Sequence, residues 1–169
     1  IIADLDAARA RRMAERHGLT VCGADEILAA PVDILSPCAL GGIFNDDTIP
    51  QIRAGIIAGA ANNQLAEDRH GPALEARGIL YAPDYAINAG GVMNVSLEMQ
   101  GYSAERAHAM AERIEDTMTA IFARARRDGI PTWLAADRLA EARIAERATL
   151  RSTAPGTPAG AMQVPSGRH

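Results

Sequence analysis

The stretch Val32-Asp33-Ile34-Leu35-Ser36-Pro37 decides the fold class, because it is a short apolar run that ends at a proline. Such a run is typical of a strand that is buried on both faces. Two runs of the same kind follow at residues 55–60 (GIIAGA) and 79–82 (ILYA), and more polar, partly helical segments separate the three. Short apolar strands that alternate with helices indicate a parallel sheet with helices on both faces. We therefore expect a doubly wound α/β fold.

The same alternation extends toward the amino terminus. Residues 1–3 (IIA) form an apolar run that ends in Asp4, and Asp6 is placed to cap the Ala/Arg-rich helix that follows. Residues 19–22 form another short apolar run. Strands and helices are therefore predicted to alternate throughout residues 1–85.

Beyond residue 90 the apolar spacing changes to that of helices. The long segment after Ser103 places apolar side chains three and four residues apart, which predicts one buried stripe. The stripe consists of Ala107, Met110, Ile114, Met118, Ile121, Phe122 and Ala125. We divide the chain into residues 1–100, which hold the sheet, residues 101–148, which form C-terminal helices, and residues 149–169, a flexible tail without periodicity.

Length and composition restrict the function classes. The chain has 169 residues, 48% of them hydrophobic, which suits one domain with a substantial core. Its net charge of −4 gives no overall basic field, so we expect no nucleic acid as a partner. The sequence has no apolar run of about 18 residues and no basic leader segment. We therefore expect no membrane partner and a cytoplasmic location.

Two residue types limit the chemistry further. Cys22 and Cys38 are the only cysteines and lie on different segments, which excludes a disulfide framework. The four histidines form no ligand pattern, so we expect no metal. All 17 basic residues are arginine, so no lysine amine can take part in chemistry here.

In open α/β sheets, ligands bind beyond the carboxyl ends of the strands, so the residues after each strand are candidates. Asp4 ends the first strand and could accept hydrogen bonds from the two hydroxyls of a ribose, or it could cap the next helix. Asp6 is the better placed of the two for the cap. Cys38 and Ala39 follow Pro37 in a loop of small residues, which lets a flat ligand approach the backbone.

Two more strand ends carry candidate side chains. The paired Asn62 and Asn63 could make turns, or their amides could offer a donor and an acceptor to a ligand. Gly90-Gly91 opens a helix and permits close approach, and Val92 and Val95 share one face of its first turn. These valines could form a dry pocket or could simply pack in the core.

Five stretches, taken together and in order, resemble the glutamate/leucine/phenylalanine/valine dehydrogenase family, and within it the leucine dehydrogenases most. They are the strand that ends at Asp4, PCALGGIFNDDTIPQ (37–51), AGAANNQLAEDRHG (58–71), GILYAPDYAINAGGVMNV (78–95) and ADRLAEARIAE (136–146). The resemblance covers roughly residues 1–150. It implies a partial NAD-binding, Rossmann-type parallel sheet followed by C-terminal helices.

The resemblance also implies a reaction. This is the reversible oxidative deamination of a branched-chain L-amino acid (leucine, valine or isoleucine) to its 2-oxo acid and ammonia, with hydride transfer to NAD. By the same likeness the cofactor-binding residues are Asp4, Cys38 and Ala39 toward the adenosine half, and Ala60, Asn62 and Asn88 toward the nicotinamide end. The likeness further implies that Asn62 contacts the substrate amino group and that Val92 and Val95 shape the side-chain pocket. Two valines there would favour a branched aliphatic side chain over a phenyl ring. The full-length protein is expected to be a homo-oligomer.

Two departures from the family pattern bear on activity. The chain carries no Gly-rich phosphate loop and begins at what resembles the second strand, so the first strand of the sheet is expected to be missing. It also carries none of the lysines with which the family holds the substrate carboxylate and activates water. Arginine cannot act as that base because it stays protonated. We therefore expect a C-terminal fragment that is unstable and inactive by itself.

Two other interpretations stay open. The chain could be a non-catalytic module that binds nucleotide or caps an oligomer, and the coding sequence upstream of Ile1 distinguishes this from an enzyme. The second interpretation is an enzyme that uses NADP, because Arg9, Arg11 and Arg12 follow the first strand and would lie near the ribose. Asp4 opposes it, since its carboxylate repels a 2′-phosphate.

Overall fold

The computed structural model of the chain describes residues 1–99 and 101–153, with side chains up to residue 149. Three strands and six α-helices make up the regular structure of this part. The strands are β1 (Ile34–Leu35), β2 (Ile56–Ile57) and β3 (Leu80–Tyr81). The helices are α1 (Ala7–His17), α2 (His70–Ala76), α3 (Asp84–Ile87), α4 (Gly90–Glu98), α5 (Ala104–Asp128) and α6 (Thr132–Thr153), and single 3₁₀ turns lie at Ile27–Ala29 and Ile49–Gln51.

The three strands form one parallel sheet in the order β1-β2-β3. Ile34 pairs with Ile56, and Ile56 pairs in turn with Leu80. The predicted parallel α/β arrangement is confirmed for these strands. Each strand is shorter than the apolar run that predicted it, because the small residues beyond it enter loops whose backbone groups bond to neighbouring loops.

The two apolar runs nearest the amino terminus form less structure than predicted. They meet at a single parallel bridge between Ile2 and Val21. Ile2 donates its N–H to the Thr20 carbonyl at 2.8 Å and accepts the Cys22 N–H at 3.1 Å. Successive residues of an extended chain point their backbone groups to opposite sides. The next bond of a parallel ladder would therefore skip Ala3 and join the Asp4 N–H to the Cys22 carbonyl. That bond does not form, so the two runs make one bridge and no ladder.

Helix ends follow the local sequence signals. Asp6 caps α1 by accepting the N–H groups of its first turn, and Ser103 caps α5 in the same way. Gly18 and Gly129 end these helices with φ values of 65° and 61°. Glycine adopts this left-handed conformation at low cost, which is why it ends so many helices.

The C-terminal region is helical, and its last helix extends beyond the predicted limit. α5 packs along α6, and the stripe predicted on α5 includes the buried Met118 and Ile121. α6 continues to Thr153, so the first residues of the segment 149–169 are helical rather than tail. No proline or glycine precedes Pro155 there to stop the helix. The rest of that segment lies outside the described residues.

One face of the sheet is fully buried. Leu35, Ile57 and Tyr81 lie side by side on this face within the main hydrophobic cluster. The other face is only partly covered, because Ile34 and Leu80, on the two edge strands, are exposed by 55% and 40%. Within the described residues, the predicted cover of helices is therefore complete on the first face and partial on this second face. None of the described helices is both long and apolar enough to cross a membrane.

Candidate functional site

The loops that follow β1 and β2 are bonded to each other at the carboxyl edge of the sheet. Ala61 donates its N–H to the Pro37 carbonyl at 2.9 Å, and Gly42 donates to the Asn63 carbonyl at 2.7 Å. Residues 59–63, here called the asparagine turn, thus lie against the loop after β1. In open parallel sheets this edge is where ligands bind.

Two glycines permit this close approach. A Cβ at Gly59 would lie 2.2 Å from the Pro37 carbonyl oxygen, and a Cβ at Gly41 would lie 2.6 Å from the Asn62 carbonyl oxygen. Interiors are packed so closely that neither contact could be relieved without moving backbone. Any larger residue at either position would push the two loops apart.

Gln64 supports the asparagine turn from inside the protein. Its side chain is fully buried, and its Nε2 donates to the carbonyls of Gly59 and Ala61 at 2.9 Å each. A buried amide that bonds two carbonyls of one turn fixes the shape of that turn. The burial of Gln64 was not predicted, because the residue lies in a polar segment between two apolar runs.

The asparagine turn brings Asn62 to Asn88, which follows α3. Asn88 Nδ2 donates to Asn62 Oδ1 at 2.5 Å and lies 3.5 Å from the Ala60 carbonyl oxygen. Three of the predicted site residues therefore come together. The bond uses the Asn62 oxygen and the Asn88 nitrogen, so Asn62 Nδ2 can still donate to a ligand and Asn88 Oδ1 can still accept.

Asp84 holds the asparagine turn from the side of β3. Its buried carboxylate accepts the Asn63 N–H at 2.5 Å and the Tyr81 O–H at 2.9 Å. Burial, together with the charge of Asp84, raises the pKa of the Tyr81 phenol, which therefore stays a donor. Asp84 was not among the predicted site residues. The available signal was an acidic residue three residues after β3, at the edge where ligands bind.

Asp4, Cys38 and Ala39 line one cavity of about 810 Å³ between residues 1–6 and the end of β1. The Cys38 side chain is exposed, and its Sγ lies 3.5 Å from Ser36 Oγ. The predicted residues thus form two groups, one around this cavity and one around the Asn62–Asn88 bond. The bonds between the asparagine turn and the loop after β1 connect the two groups.

Asp4 and Asp6 have different environments. Asp6 caps α1, and the bond from the Arg9 N–H is the main reason that its pKa is lowered. Asp4 accepts the Asp6 N–H at 2.8 Å, and Arg9 Nη1 lies 3.4 Å from its other oxygen. The Asp4 side chain remains 31% exposed, so its carboxylate is accessible to a hydroxyl-bearing ligand from the cavity.

Val92 and Val95 lie on α4 and are exposed by 70% and 57%. The alternative that they pack in the core is therefore wrong. α4 begins at Gly90, close behind Asn88, so the valines follow the asparagine pair along the chain. Within the part that the structure describes, they form an open apolar surface and not a closed pocket.

These residues fit the two ends of a long dinucleotide. The Asp4 carboxylate can accept ribose hydroxyls beside the small Cys38 and Ala39, while the Asn62–Asn88 pair can bind a flat amide. The sequence holds no G-x-G-x-x-G loop for the pyrophosphate between these ends. Across residues 1–99 and 101–153, no three His, Cys, Asp or Glu side chains lie close enough to hold a metal ion.

Comparison with known proteins gives consistent matches. The family model of glutamate/leucine/phenylalanine/valine dehydrogenase matches residues 4–151. The chain is 50% identical over 153 residues to leucine dehydrogenase of Bacillus cereus, covering 90% of this chain and 42% of that protein. It is 50% identical over 149 residues to valine dehydrogenase of Streptomyces coelicolor, covering 86% and 41%. The crystal structure of L-tryptophan dehydrogenase from Nostoc punctiforme superposes with a TM-score of 0.83 at 50% identity, covering 85% of this chain and 43% of that one.

The chain spans less than half the length of each of these relatives. The family match nevertheless includes both groups of site residues, from Asp4 to Val95. Sequence identity, overall fold and the family model agree over most of the chain. The chain belongs to the glutamate/leucine/phenylalanine/valine dehydrogenase family of amino acid oxidoreductases.

Proposed function

We propose that this chain is the cofactor-binding part of an NAD-dependent dehydrogenase that reversibly deaminates branched-chain L-amino acids to 2-oxo acids and ammonia. Family membership supports the reaction class. The observation that carries the assignment is the bond between Asn62 and Asn88, because it joins an amide of the loop after β2 to an amide at the end of α3, at the edge of the sheet where ligands bind.

In this proposal the chain binds and orients the cofactor. NAD, when bound, accepts the hydride that leaves the substrate Cα. Asp4 accepts the adenosine ribose hydroxyls, and Cys38 and Ala39 line the adenosine half. Asn62 and Asn88 hold the carboxamide through the donor and the acceptor that their own bond leaves free. Fixing the plane of the nicotinamide in this way supplies the orientation that hydride transfer needs.

We propose NAD rather than NADP. The Asp4 carboxylate lies at the cavity, where it would repel a 2′-phosphate. Arg9, one of the three arginines that could favour NADP, already contacts Asp4 at 3.4 Å and Asp6 at 4.0 Å. These two carboxylates offset the positive charge of Arg9, which weakens its attraction for a phosphate.

The proposed substrate is leucine, valine or isoleucine. Asn62 Oδ1 accepts from Asn88 and has a second lone pair, which can accept from the substrate ammonium group. Val92 and Val95 offer a small apolar surface that suits a branched aliphatic side chain. Relatives named for leucine and valine support this choice, and the relative named for tryptophan makes side-chain size the property to test.

The proton-handling groups are proposed to lie outside residues 1–169. Deamination needs a base that takes a proton from water and a cation that holds the substrate carboxylate. The 17 Lys-or-Arg positions of the sequence are all arginine, which can bind a carboxylate but stays protonated, so no lysine amine can act as the base here. We therefore propose that an additional segment supplies these groups and that residues 1–169 alone are inactive.

We further propose that this additional segment provides a strand that completes the sheet. Leu35 accepts the Ala58 N–H at 3.0 Å, so the backbone groups of Ile34 face away from β2, into the cavity of about 810 Å³. Ile1 and Ala3, whose backbone groups make no bond to the rest of the described chain, line the same cavity. Unpaired edges on two sides of one cavity form a surface that accepts an extended segment. In a doubly wound sheet the first strand lies at this central position.

The extended protein, meaning residues 1–169 preceded by the segment encoded immediately upstream, tests the proposal. With NAD and L-leucine we expect NADH to form, with valine and isoleucine differing by about 10- to 200-fold at most. With residues 1–169 alone we expect none. An extended protein that oxidises no aliphatic amino acid, or an isolated chain that does, would contradict the proposal. Size-exclusion chromatography of the extended protein tests the proposed homo-oligomer.

A further inference from the structure

Asp84 is a buried charged residue to which the family resemblance gave no role. It is the first residue of α3, follows Pro83, and is only 8% exposed. Its Oδ2 accepts the Asn63 N–H at 2.5 Å, and its Oδ1 accepts the Tyr81 O–H at 2.9 Å. One carboxylate therefore connects β3, α3 and the asparagine turn.

Asn63 has the least favourable backbone conformation in the asparagine turn. Its φ of 51° is the only positive φ at a non-glycine residue in the described part of the chain. This left-handed region is unfavourable for residues with a Cβ, although asparagine tolerates it better than most. The Asn63 N–H bonds to Asp84, and its carbonyl accepts the Gly42 N–H at 2.7 Å. Both backbone polar groups of Asn63 are thus fixed.

The conformation of Asn63 also determines where Asn62 lies. Asn62 is the preceding residue of the same turn, and its Oδ1 accepts from Asn88 Nδ2 at 2.5 Å. Asn88 follows α3, the helix that begins at Asp84. Asp84 therefore belongs to the element that carries one asparagine and bonds directly to the turn that carries the other.

We propose that Asp84 is a positioning residue that holds the Asn62–Asn88 pair in the arrangement that binds the nicotinamide carboxamide, acting through the Asn63 N–H. The identity of the bound group rests on the function proposed above. The claim that Asp84 fixes the asparagine turn rests only on the geometry of this chain. The Tyr81 O–H orients the carboxylate by binding its second oxygen.

Asp84→Asn is the variant that isolates this role, because it keeps the size of the side chain. The amide has no charge and one acceptor oxygen where the carboxylate has two, so its bond with the Asn63 N–H is weaker, and the Tyr81 hydroxyl must turn to accept from its NH₂. Asp137→Asn is the matched control. Asp137 Oδ1 accepts the Tyr85 O–H at 2.7 Å, a bond of the same kind that ties α3 to α6 and does not involve the asparagine turn.

Hydrogen exchange in the extended protein, followed by mass spectrometry of a peptide that covers residues 59–63, is the first readout. We expect Asp84→Asn to accelerate exchange there by roughly 10- to 100-fold and Asp137→Asn to leave it unchanged. Tyr81→Phe removes only the second bond, and we expect a smaller increase. Unchanged exchange in both Asp84→Asn and Tyr81→Phe overturns the assignment, and so does an equal increase in Asp137→Asn.

Kinetics of the same variants provide the second readout. We expect Asp84→Asn to lower kcat by roughly tenfold or more, with a smaller change in the KM for the amino acid, and Asp137→Asn to change neither by as much. Faster exchange with unchanged kcat overturns the link to catalysis and leaves the proposed function standing. An inactive wild-type extended protein contradicts the proposed function, while the exchange result still decides whether Asp84 holds the turn.

Discussion

Asn88 Nδ2 donates to Asn62 Oδ1 across 2.5 Å, and this bond joins the loop after β2 to the residue that follows α3. The two residues are 26 positions apart in sequence. Each of them commits one polar atom to the other and leaves its second polar atom available. The site therefore offers a donor and an acceptor at a separation that the pair itself sets.

This pairing predicts that Asn62 and Asn88 act as a unit. In the extended protein, we expect Asn62→Ala and Asn88→Ala each to lower kcat/KM by about tenfold or more. The double variant should lose less than the product of the single losses, by about 2- to 10-fold, because either substitution already breaks the shared bond. Steady-state kinetics with NAD and leucine measure this. Gln51→Ala, an exposed amide away from the site, serves as the control, and strictly multiplicative losses would show that the asparagines act independently.

The different environments of Asp4 and Asp6 predict which one controls cofactor choice. Asp4→Ser removes the charge that opposes a 2′-phosphate, so we expect the NADP/NAD ratio of kcat/KM to rise by about tenfold or more. Asp6→Ser also removes one negative charge but retains a side chain that can cap α1. We expect it to leave the ratio almost unchanged. If Asp6→Ser shifts the ratio as much as Asp4→Ser, the effect is one of general charge, and Asp4 does not bind the ribose.

The sequence was sufficient to predict the parts of the fold that depend on local patterns. The apolar runs around Ile34, Ile56 and Leu80 predicted three parallel strands, and Asp6 was predicted to cap the helix that is α1. These features need only neighbours within a few residues. Strand length was overestimated, because an apolar run does not show where its backbone leaves the sheet.

Features that depend on distant partners could not be predicted in the same way. Residues 1–3 and 19–22 were predicted as strands, but they meet only at the bridge between Ile2 and Val21, and their spacing does not show where the two runs diverge. Asp84 was not predicted as a site residue, because its partner Asn63 lies 21 residues earlier in the sequence. Sequence spacing shows that a residue can make a bond. It does not show which residue the fold brings to it.

The exposure of Val92 and Val95 predicts control of side-chain preference. Val92→Ala leaves more room for the substrate side chain beside α4, so we expect kcat/KM for phenylalanine relative to valine to rise by about tenfold. Val92→Ile leaves less room and should lower this ratio. Ile144 on α6 has nearly the same exposure, 69% against 70% for Val92, which makes Ile144→Ala a suitable control. Competing-substrate kinetics in the extended protein measure the ratio. An unchanged preference in both Val92 variants would place the substrate side chain elsewhere.

The approach of Gly59 to Pro37 predicts a position at which even one methyl group is not tolerated. A Cβ at Gly59 would lie 2.2 Å from the Pro37 carbonyl oxygen, whereas a Cβ at Gly55 would have nothing within 4 Å. We expect Gly59→Ala to lower the free energy of unfolding by about 1–3 kcal/mol, because the two loops must separate. Gly55→Ala should change it by less than about 1 kcal/mol in either direction.

Urea unfolding of the extended protein measures both effects from the midpoint at constant slope. Gly59 is the first residue of the asparagine turn, so Gly59→Ala should also raise the KM for NAD. Gly55→Ala should leave the KM for NAD unchanged. Equal stability and equal KM in the two alanine variants would mean that the loop after β1 can move away from the asparagine turn without a measurable cost in free energy. In that case the contact with Pro37 could not be what fixes Ala60 and Asn62 at the site.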